Sequence, residues 1–135
     1  MTTQHRTIAF IGAGNMTQSI VGGMVTSGYP ANAIFVSNPS TEKLDKIATE
    51  HGVNTSQDNV AMARQADVIV LAVKPQLMAG VCHELREQIS DLANKLIVTI
   101  AAGIRIGKYR QYLGDDIRMV RVMPNTPSLL GKGMS

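Results

Sequence analysis

Short apolar runs alternate with amphipathic stretches along the whole of this 135-residue chain. Continuous apolar runs are typical of strands that are buried on both faces of a parallel sheet. They predict strands at residues 7–11, 34–37, 53–55, 68–73, 96–100 and 119–123. The stretches between them predict helices at residues 15–27, 41–51, 59–65, 76–89 and 106–113. This alternation predicts an α/β fold, with a doubly wound parallel sheet in the strand order 3-2-1-4-5-6.

The first predicted strand leads directly into Gly12-Ala13-Gly14, and a helical pattern follows. Strand, glycine turn and helix in this order are the context in which such a run marks a dinucleotide phosphate site. Gly12 would make the tight turn, and Gly14 would let a pyrophosphate approach the helix N-terminus. The third position of the pattern, usually Gly or Ala, is Thr17, so looser helix–strand packing is expected there. A glycine turn in another kind of α/β protein is the alternative.

Composition narrows the class of protein. The chain has 44% hydrophobic residues and a net charge of +3 without a long basic run, which suits an anionic small molecule and not nucleic acid. No apolar run reaches the roughly 18 residues of a membrane span, and no signal-peptide layout precedes the first strand. The single Cys82 predicts a reducing, cytoplasmic setting and is expected to be a core residue, with a catalytic thiol as the alternative. The histidines lack ligand-like spacing, so no metal site is expected.

The second predicted strand ends in Ser37-Asn38-Pro39-Ser40, with no carboxylate where an NAD-specific fold would hold the ribose 2′-hydroxyl. Ser37, Asn38 and Ser40 can donate hydrogen bonds to a 2′-phosphate, and Lys43 follows nearby in the sequence. The segment therefore favours NADP over NAD. An ordinary polar turn is the alternative.

Three other strand ends carry candidate chemistry. Lys74, before Pro75, would meet the ribose or phosphates of a cofactor or remain a solvated loop lysine. The small residues at 101–103 leave room for a flat ring, or mark a tight turn. Two prolines bracket Asn125 and Thr126, which predicts either a rigid frame that orients a carboxamide or a rigid connector.

Four segments in order, residues 8–16, 72–76, 101–103 and 121–127, resemble the N-terminal domain of pyrroline-5-carboxylate reductase. The resemblance implies a Rossmann-like NAD(P)-binding domain and an oxidoreductase. It also implies the reaction, the reduction of Δ1-pyrroline-5-carboxylate to L-proline in proline biosynthesis. The hydride of NADPH, or of NADH, would go to the carbon of the ring C=N bond.

The resemblance also implies a set of cofactor-binding residues. The glycine turn would bind the pyrophosphate, and the end of the second strand with Asn59 would bind the adenosine half. The end of the fourth strand would line the nicotinamide ribose, and the remaining positions would lie by the nicotinamide. These residues are Ile11, Gly12, Ala13, Gly14, Asn15, Met16, Ser37, Asn38, Asn59, Ala72, Val73, Lys74, Pro75, Ala102, Gly103, Met123 and Asn125. One departure is Pro39, where family members often carry Arg.

Members of that family are about twice as long, and their second half is a helical domain that forms the dimer and most of the substrate pocket. We therefore expect residues 1–125 to form the NADP-binding domain and residues 126–135 to begin the connection to a second domain. No catalytic residue is expected in this chain, which alone would bind NADP(H) weakly without turnover. The whole protein would be a homo-oligomer that binds pyrroline-5-carboxylate and proline, with no nucleic-acid or membrane partner.

Two other interpretations stay open. A β-hydroxyacid dehydrogenase-like or F420-dependent NADP reductase would share the first glycine motif, although residues 123–127 argue against both. A non-catalytic NADP(H)-sensing module is a different class. A helical continuation of the gene past Ser135 would favour the reductase, and a native stop codon would favour the module.

Overall fold

The computed structural model describes residues 6–100 and 104–122 and confirms the doubly wound α/β fold. Every strand pair in it is parallel, and the sheet order is β3-β2-β1-β4-β5-β6, as the sequence predicts. The six strands are β1 (Ile8–Ile11), β2 (Ile34–Ser37), β3 (Asn54–Ser56), β4 (Val68–Leu71), β5 (Leu96–Thr99) and β6 (Arg118–Arg121).

Five α-helices connect these strands. They are α1 (Asn15–Thr26), α2 (Thr41–His51), α3 (Asn59–Arg64), α4 (Pro75–Gln88) and α5 (Ile106–Leu113), and all lie within three residues of their predicted bounds. Gly52 ends α2 with φ of +72°, a conformation that favours glycine. Pro75 occupies the first position of α4, where its missing N–H costs no helical hydrogen bond. Short 3₁₀ turns at Ala31–Ala33 and Leu92–Asn94 were not predicted, because three residues carry no periodicity.

The predicted fourth strand is two residues too long, because β4 ends at Leu71. Beyond it, the Ala72 N–H donates to the Ile11 carbonyl oxygen at 2.9 Å, and the Ala72 backbone crosses next to Gly12. This crossing brings the ends of β1 and β4 together. It is a tertiary contact, which the apolar run through Val73 does not encode.

The central strands of the sheet are buried on both faces, whereas the edge strand β6 is largely exposed. Along β1, Ala9 and Ile11 belong to the apolar cluster under α3, α4 and α5, and Phe10 belongs to the cluster under α1 and α2. Cys82 of α4 is fully buried in the first cluster, which confirms its interpretation as a core residue. Burial raises the pKa of its thiol to about 12.

None of the helices in the described part of the chain combines the length and hydrophobicity of a membrane span.

Candidate functional site

A cleft of about 520 Å³ opens at the carboxyl ends of β1, β2 and β4. β1 lies between β2 and β4, so the cleft sits where the strand order reverses, the usual ligand position of a doubly wound sheet. Its lining residues come from three strand ends and from α2, α3 and α4: Gly12, Ala13, Gly14, Asn38, Pro39, Ser40, Lys43, Asn59, Ala72, Val73, Lys74, Leu77, Gly80 and Val81.

Gly12 and Gly14 meet different requirements of the β1–α1 turn. Gly12 has φ of +111°, and a Cβ there would lie 2.7 Å from the Ala72 carbonyl oxygen. Its N–H donates to the Ser37 carbonyl oxygen at 2.8 Å, so the turn is fixed to β2 as well as to β4. Gly14 precedes α1 and has no atom within 4 Å of the position that a Cβ would take. Because no side chain caps α1, this open space exposes a helix N-terminus to an approaching anion.

Thr17 does not loosen the helix–strand packing, contrary to the sequence-based expectation. The side chain is fully buried, and its hydroxyl donates to the Gly12 carbonyl oxygen at 2.7 Å. A threonine at this position therefore closes the turn with a hydrogen bond that Gly or Ala could not make.

At the end of β2, Ser37 and Asn38 both hold neighbouring groups in place. Ser37 is fully buried, and its hydroxyl donates to Oδ1 of Asn59 at 2.7 Å. Asn38 accepts a hydrogen bond from the Ala13 N–H at 3.0 Å and donates to the Ser40 carbonyl oxygen at 3.1 Å. Asn38 and Asn59 line the cleft, whereas Ser37 lies behind Asn59 and orients it.

Lys74 and α4 form the wall opposite α2. Lys74 is exposed and directly precedes the helix. Leu77, Gly80 and Val81 of α4 also line the cleft, and Leu77 is 52% exposed. Sequence reasoning missed these three residues. The large apolar side chain of Leu77, which is not needed for the core, was the signal that could have found them.

The structure therefore gathers part of the predicted set around one cleft. Eight predicted residues line it: Gly12, Ala13, Gly14, Asn38, Asn59, Ala72, Val73 and Lys74. Five are close in sequence but do not line it: Ile11, Asn15, Met16, Ser37 and Pro75. Four lie outside the described residues: Ala102, Gly103, Met123 and Asn125. Within residues 6–100 and 104–122, no group of three or more His, Cys, Asp or Glu residues is arranged to hold a metal ion.

The model of the protein family described as "NADP oxidoreductase coenzyme F420-dependent" matches residues 7–103. The chain belongs to this family. The match includes the glycine turn and every described residue that lines the cleft.

Known relatives of this chain align over nearly its whole length. The pyrroline-5-carboxylate reductase of Vibrio alginolyticus is 49% identical over 132 residues, which cover 98% of this chain and 48% of the relative. The structure of a pyrroline-5-carboxylate reductase from Coxiella burnetii has a TM-score of 0.87 at 43% identity, covering 94% of this chain and 47% of that one. The Plasmodium falciparum pyrroline carboxylate reductase, solved with NADP bound, has a TM-score of 0.79 at 29% identity, covering 96% and 46%.

These relatives confirm the resemblance to the N-terminal half of pyrroline-5-carboxylate reductases. The chain spans about half the length of the curated relatives that it matches. The alignment with the Vibrio relative extends well past residue 103, where the family match ends.

Proposed function

We propose that this chain is the NADP-binding half of a cytoplasmic pyrroline-5-carboxylate reductase that reduces Δ1-pyrroline-5-carboxylate to L-proline in proline biosynthesis. The observation that carries the proposal is the open space at Gly14 over the uncapped N-terminus of α1, at the point where the strand order reverses. Residues 1–125 form the cofactor domain in this proposal, and residues 126–135 begin the connection to a substrate-binding and dimer-forming domain.

The residues around the cleft fit a dinucleotide. A pyrophosphate needs close access to backbone N–H groups, and the missing side chain at Gly14 provides it. Leu77 and Val81, one turn apart on α4 with Gly80 beside them, offer an apolar surface for an adenine ring. Among the described residues that line the cleft, the ionisable side chains are those of Lys43 and Lys74. Both are positively charged, so the cleft favours an anionic ligand.

When bound, NADPH would supply the hydride. The chain's own part is to bind and orient the cofactor. The β1–α1 turn holds the pyrophosphate, and the nicotinamide ribose lies against Ala72, Val73 and Lys74. Ala102, Gly103, Met123 and Asn125 are assigned to the nicotinamide by the family resemblance alone. We place no catalytic residue in this chain and assign the imine proton donor to the second half of the whole enzyme, a homo-oligomer.

A chimera tests the proposal, with this chain replacing the matching half of the Vibrio alginolyticus relative. We expect it to oxidise NADPH when pyrroline-5-carboxylate is added and to form proline, measured by nucleotide absorbance and amino-acid analysis. The relative's second half alone is the control and should do neither. The 135-residue chain alone should bind NADPH without forming proline. A folded chimera that does not bind NADPH would contradict the proposal, and proline formation by the chain alone would contradict the assignment of catalysis to the other half.

The family description itself favours a second candidate, an F420-dependent NADP reductase. It predicts that the chain in its whole protein transfers hydride between coenzyme F420 and NADP. Adding reduced F420 and NADP to the whole protein that contains this chain separates the two functions, because the proposed reductase produces no NADPH under these conditions.

A further inference from the structure

The peptide unit between Gly12 and Ala13 is held at both of its polar ends by side chains. Its carbonyl oxygen accepts a buried hydrogen bond from the Thr17 hydroxyl at 2.7 Å. Its N–H, which belongs to Ala13, donates to Oδ1 of Asn38 at 3.0 Å. Because the carbonyl oxygen and the N–H of a planar peptide unit point in opposite directions, these two bonds fix the rotation of the whole unit. The oxygen is turned towards buried Thr17, and the N–H is turned towards Asn38, which lines the cleft.

Thr17 supplies the inner of these two restraints. Its side chain is fully buried and does not line the cleft, so its hydroxyl acts on the turn and not on a ligand. Gly12 needs such a restraint because it lacks a Cβ and has φ of +111°, and a glycine leaves the adjacent peptide unit free to rotate. Rotation of the unit would exchange its two ends and place the partly negative Gly12 oxygen on the cleft side, where the Ala13 N–H now lies.

The next carbonyl oxygen of the turn is restrained in a similar way. The side-chain amide of Gln18 donates to the Ala13 oxygen at 3.2 Å and to the Lys43 oxygen at 3.3 Å, so α2 supports the donor. Neighbouring side chains of α1, Thr17 and Gln18, therefore hold both carbonyl oxygens that precede Gly14.

This arrangement decides which backbone groups can meet an anion. The N–H groups of the first turn of a helix have no partner within the helix, and no side chain caps α1. They lie beside the open space at Gly14. A carbonyl oxygen rotated towards the same space would repel a phosphate, whereas the observed orientation leaves donors there.

We infer that Thr17 is a positioning residue for the cofactor, because its buried hydroxyl keeps the Gly12 carbonyl oxygen turned away from the space that the pyrophosphate occupies. The inference rests on the proposed function, since it takes the pyrophosphate to bind at Gly14. It adds a role for a side chain that does not touch the ligand, at a position that usually holds Gly or Ala in this kind of turn.

The test compares two nucleotides on the 135-residue chain. NADPH contains the pyrophosphate, whereas adenosine 2′-monophosphate lacks it. Thr17→Val keeps the shape of the side chain and removes the hydroxyl. We expect it to weaken NADPH binding about threefold to tenfold, the net value of one neutral hydrogen bond, and to change binding of adenosine 2′-monophosphate less than about twofold. Nucleotide fluorescence measures the first dissociation constant, and an NMR titration measures the second.

Three further variants serve as controls. Thr17→Ser keeps the hydroxyl and should bind NADPH as the unchanged chain does. Thr17→Ala differs from Thr17→Ser by one oxygen atom, so this pair makes the same comparison if Thr17→Val does not fold. Thr26→Val is the same substitution at an exposed position of α1 and should change the binding of neither nucleotide.

Unchanged NADPH binding in Thr17→Val would overturn the inference and leave the proposed function standing. Equal weakening of both nucleotides would do the same, because it would show that the hydroxyl serves only the stability of the fold. Failure of the unchanged chain to bind NADPH would contradict the proposed function, and the inference with it.

Discussion

At the scale of single residues, we expect the two glycines of the β1–α1 turn to have different roles, Gly12 in stability and Gly14 in nucleotide binding. Gly12→Ala places a Cβ 2.7 Å from the Ala72 carbonyl oxygen on a backbone with φ of +111°. We expect the free energy of unfolding to fall by about 2–4 kcal/mol, because the contact is with backbone and cannot relax cheaply. Denaturant unfolding measures the loss.

Gly14→Ala is the matched comparison. Its Cβ meets no atom within 4 Å, and its φ of −72° is ordinary, so the free energy of unfolding should change by no more than about 1 kcal/mol. NADPH binding should nevertheless weaken, because the methyl group enters the space proposed for the pyrophosphate. Equal unfolding curves for the two variants would contradict this division of roles.

Individual residues also mark the limit of sequence reasoning about the site. The glycine turn, Asn38 and Lys74 were predicted because strand ends converge on one edge of a parallel sheet, whereas Asn59, Ala72 and Val73 were predicted from the family resemblance. The burial of Ser37 behind Asn59 could not be predicted, since it depends on the face of β2 that packs inward at its last residue. Leu77, Gly80 and Val81 were missed because their place at the cleft depends on how α4 packs beside the sheet, which is a tertiary contact.

At the scale of elements, Lys95 joins the start of β5 to the end of α3. The side chain is buried, and its ammonium group donates to the carbonyl oxygens of Arg64 at 3.0 Å and Ala66 at 2.6 Å. Lys95→Met keeps the apolar stem and removes both donors. We expect a loss of about 1–3 kcal/mol in the free energy of unfolding. Lys46→Met, at an exposed position, is the control and should stay within about 0.5 kcal/mol.

The elements themselves were largely predictable. Helix bounds follow from the hydrophobic period, and strand order follows from the alternation of strands with helices. Gly52 and Pro75 mark helix ends by backbone chemistry. The end of β4 was not predictable, because the Ala72–Gly12 crossing joins residues that are far apart in the sequence.

At the scale of the whole molecule, groups in the apolar core make the stability of the fold decrease at alkaline pH. Burial raises the pKa of Cys82 from its ordinary value near 9 to about 12, and burial is also the main reason that the pKa of Tyr109 is raised. The folded state therefore holds these protons more tightly than the unfolded state. The stability that they contribute is complete below pH 9 and decreases as the pH rises from 9 towards 12.

We expect the midpoint of denaturant unfolding to fall over that range, with little change between pH 7 and 8.5 from these two groups. Cys82→Ala removes one of them and should make the decrease shallower, although the variant starts from a lower stability because of the cavity. An identical pH profile for Cys82→Ala would contradict the assignment to the buried thiol.

The central position of β1 also has a consequence for biosynthesis. Ile8 pairs with Ile34 on one side and with Val68 on the other, so β1 must wait during synthesis for a neighbour that lies sixty residues later in the chain. A nascent chain that has not yet released β4 has half of its central strand unpaired and one apolar layer uncovered. Chaperones that bind exposed apolar segments would meet this chain during that interval, and release should coincide with the emergence of β4.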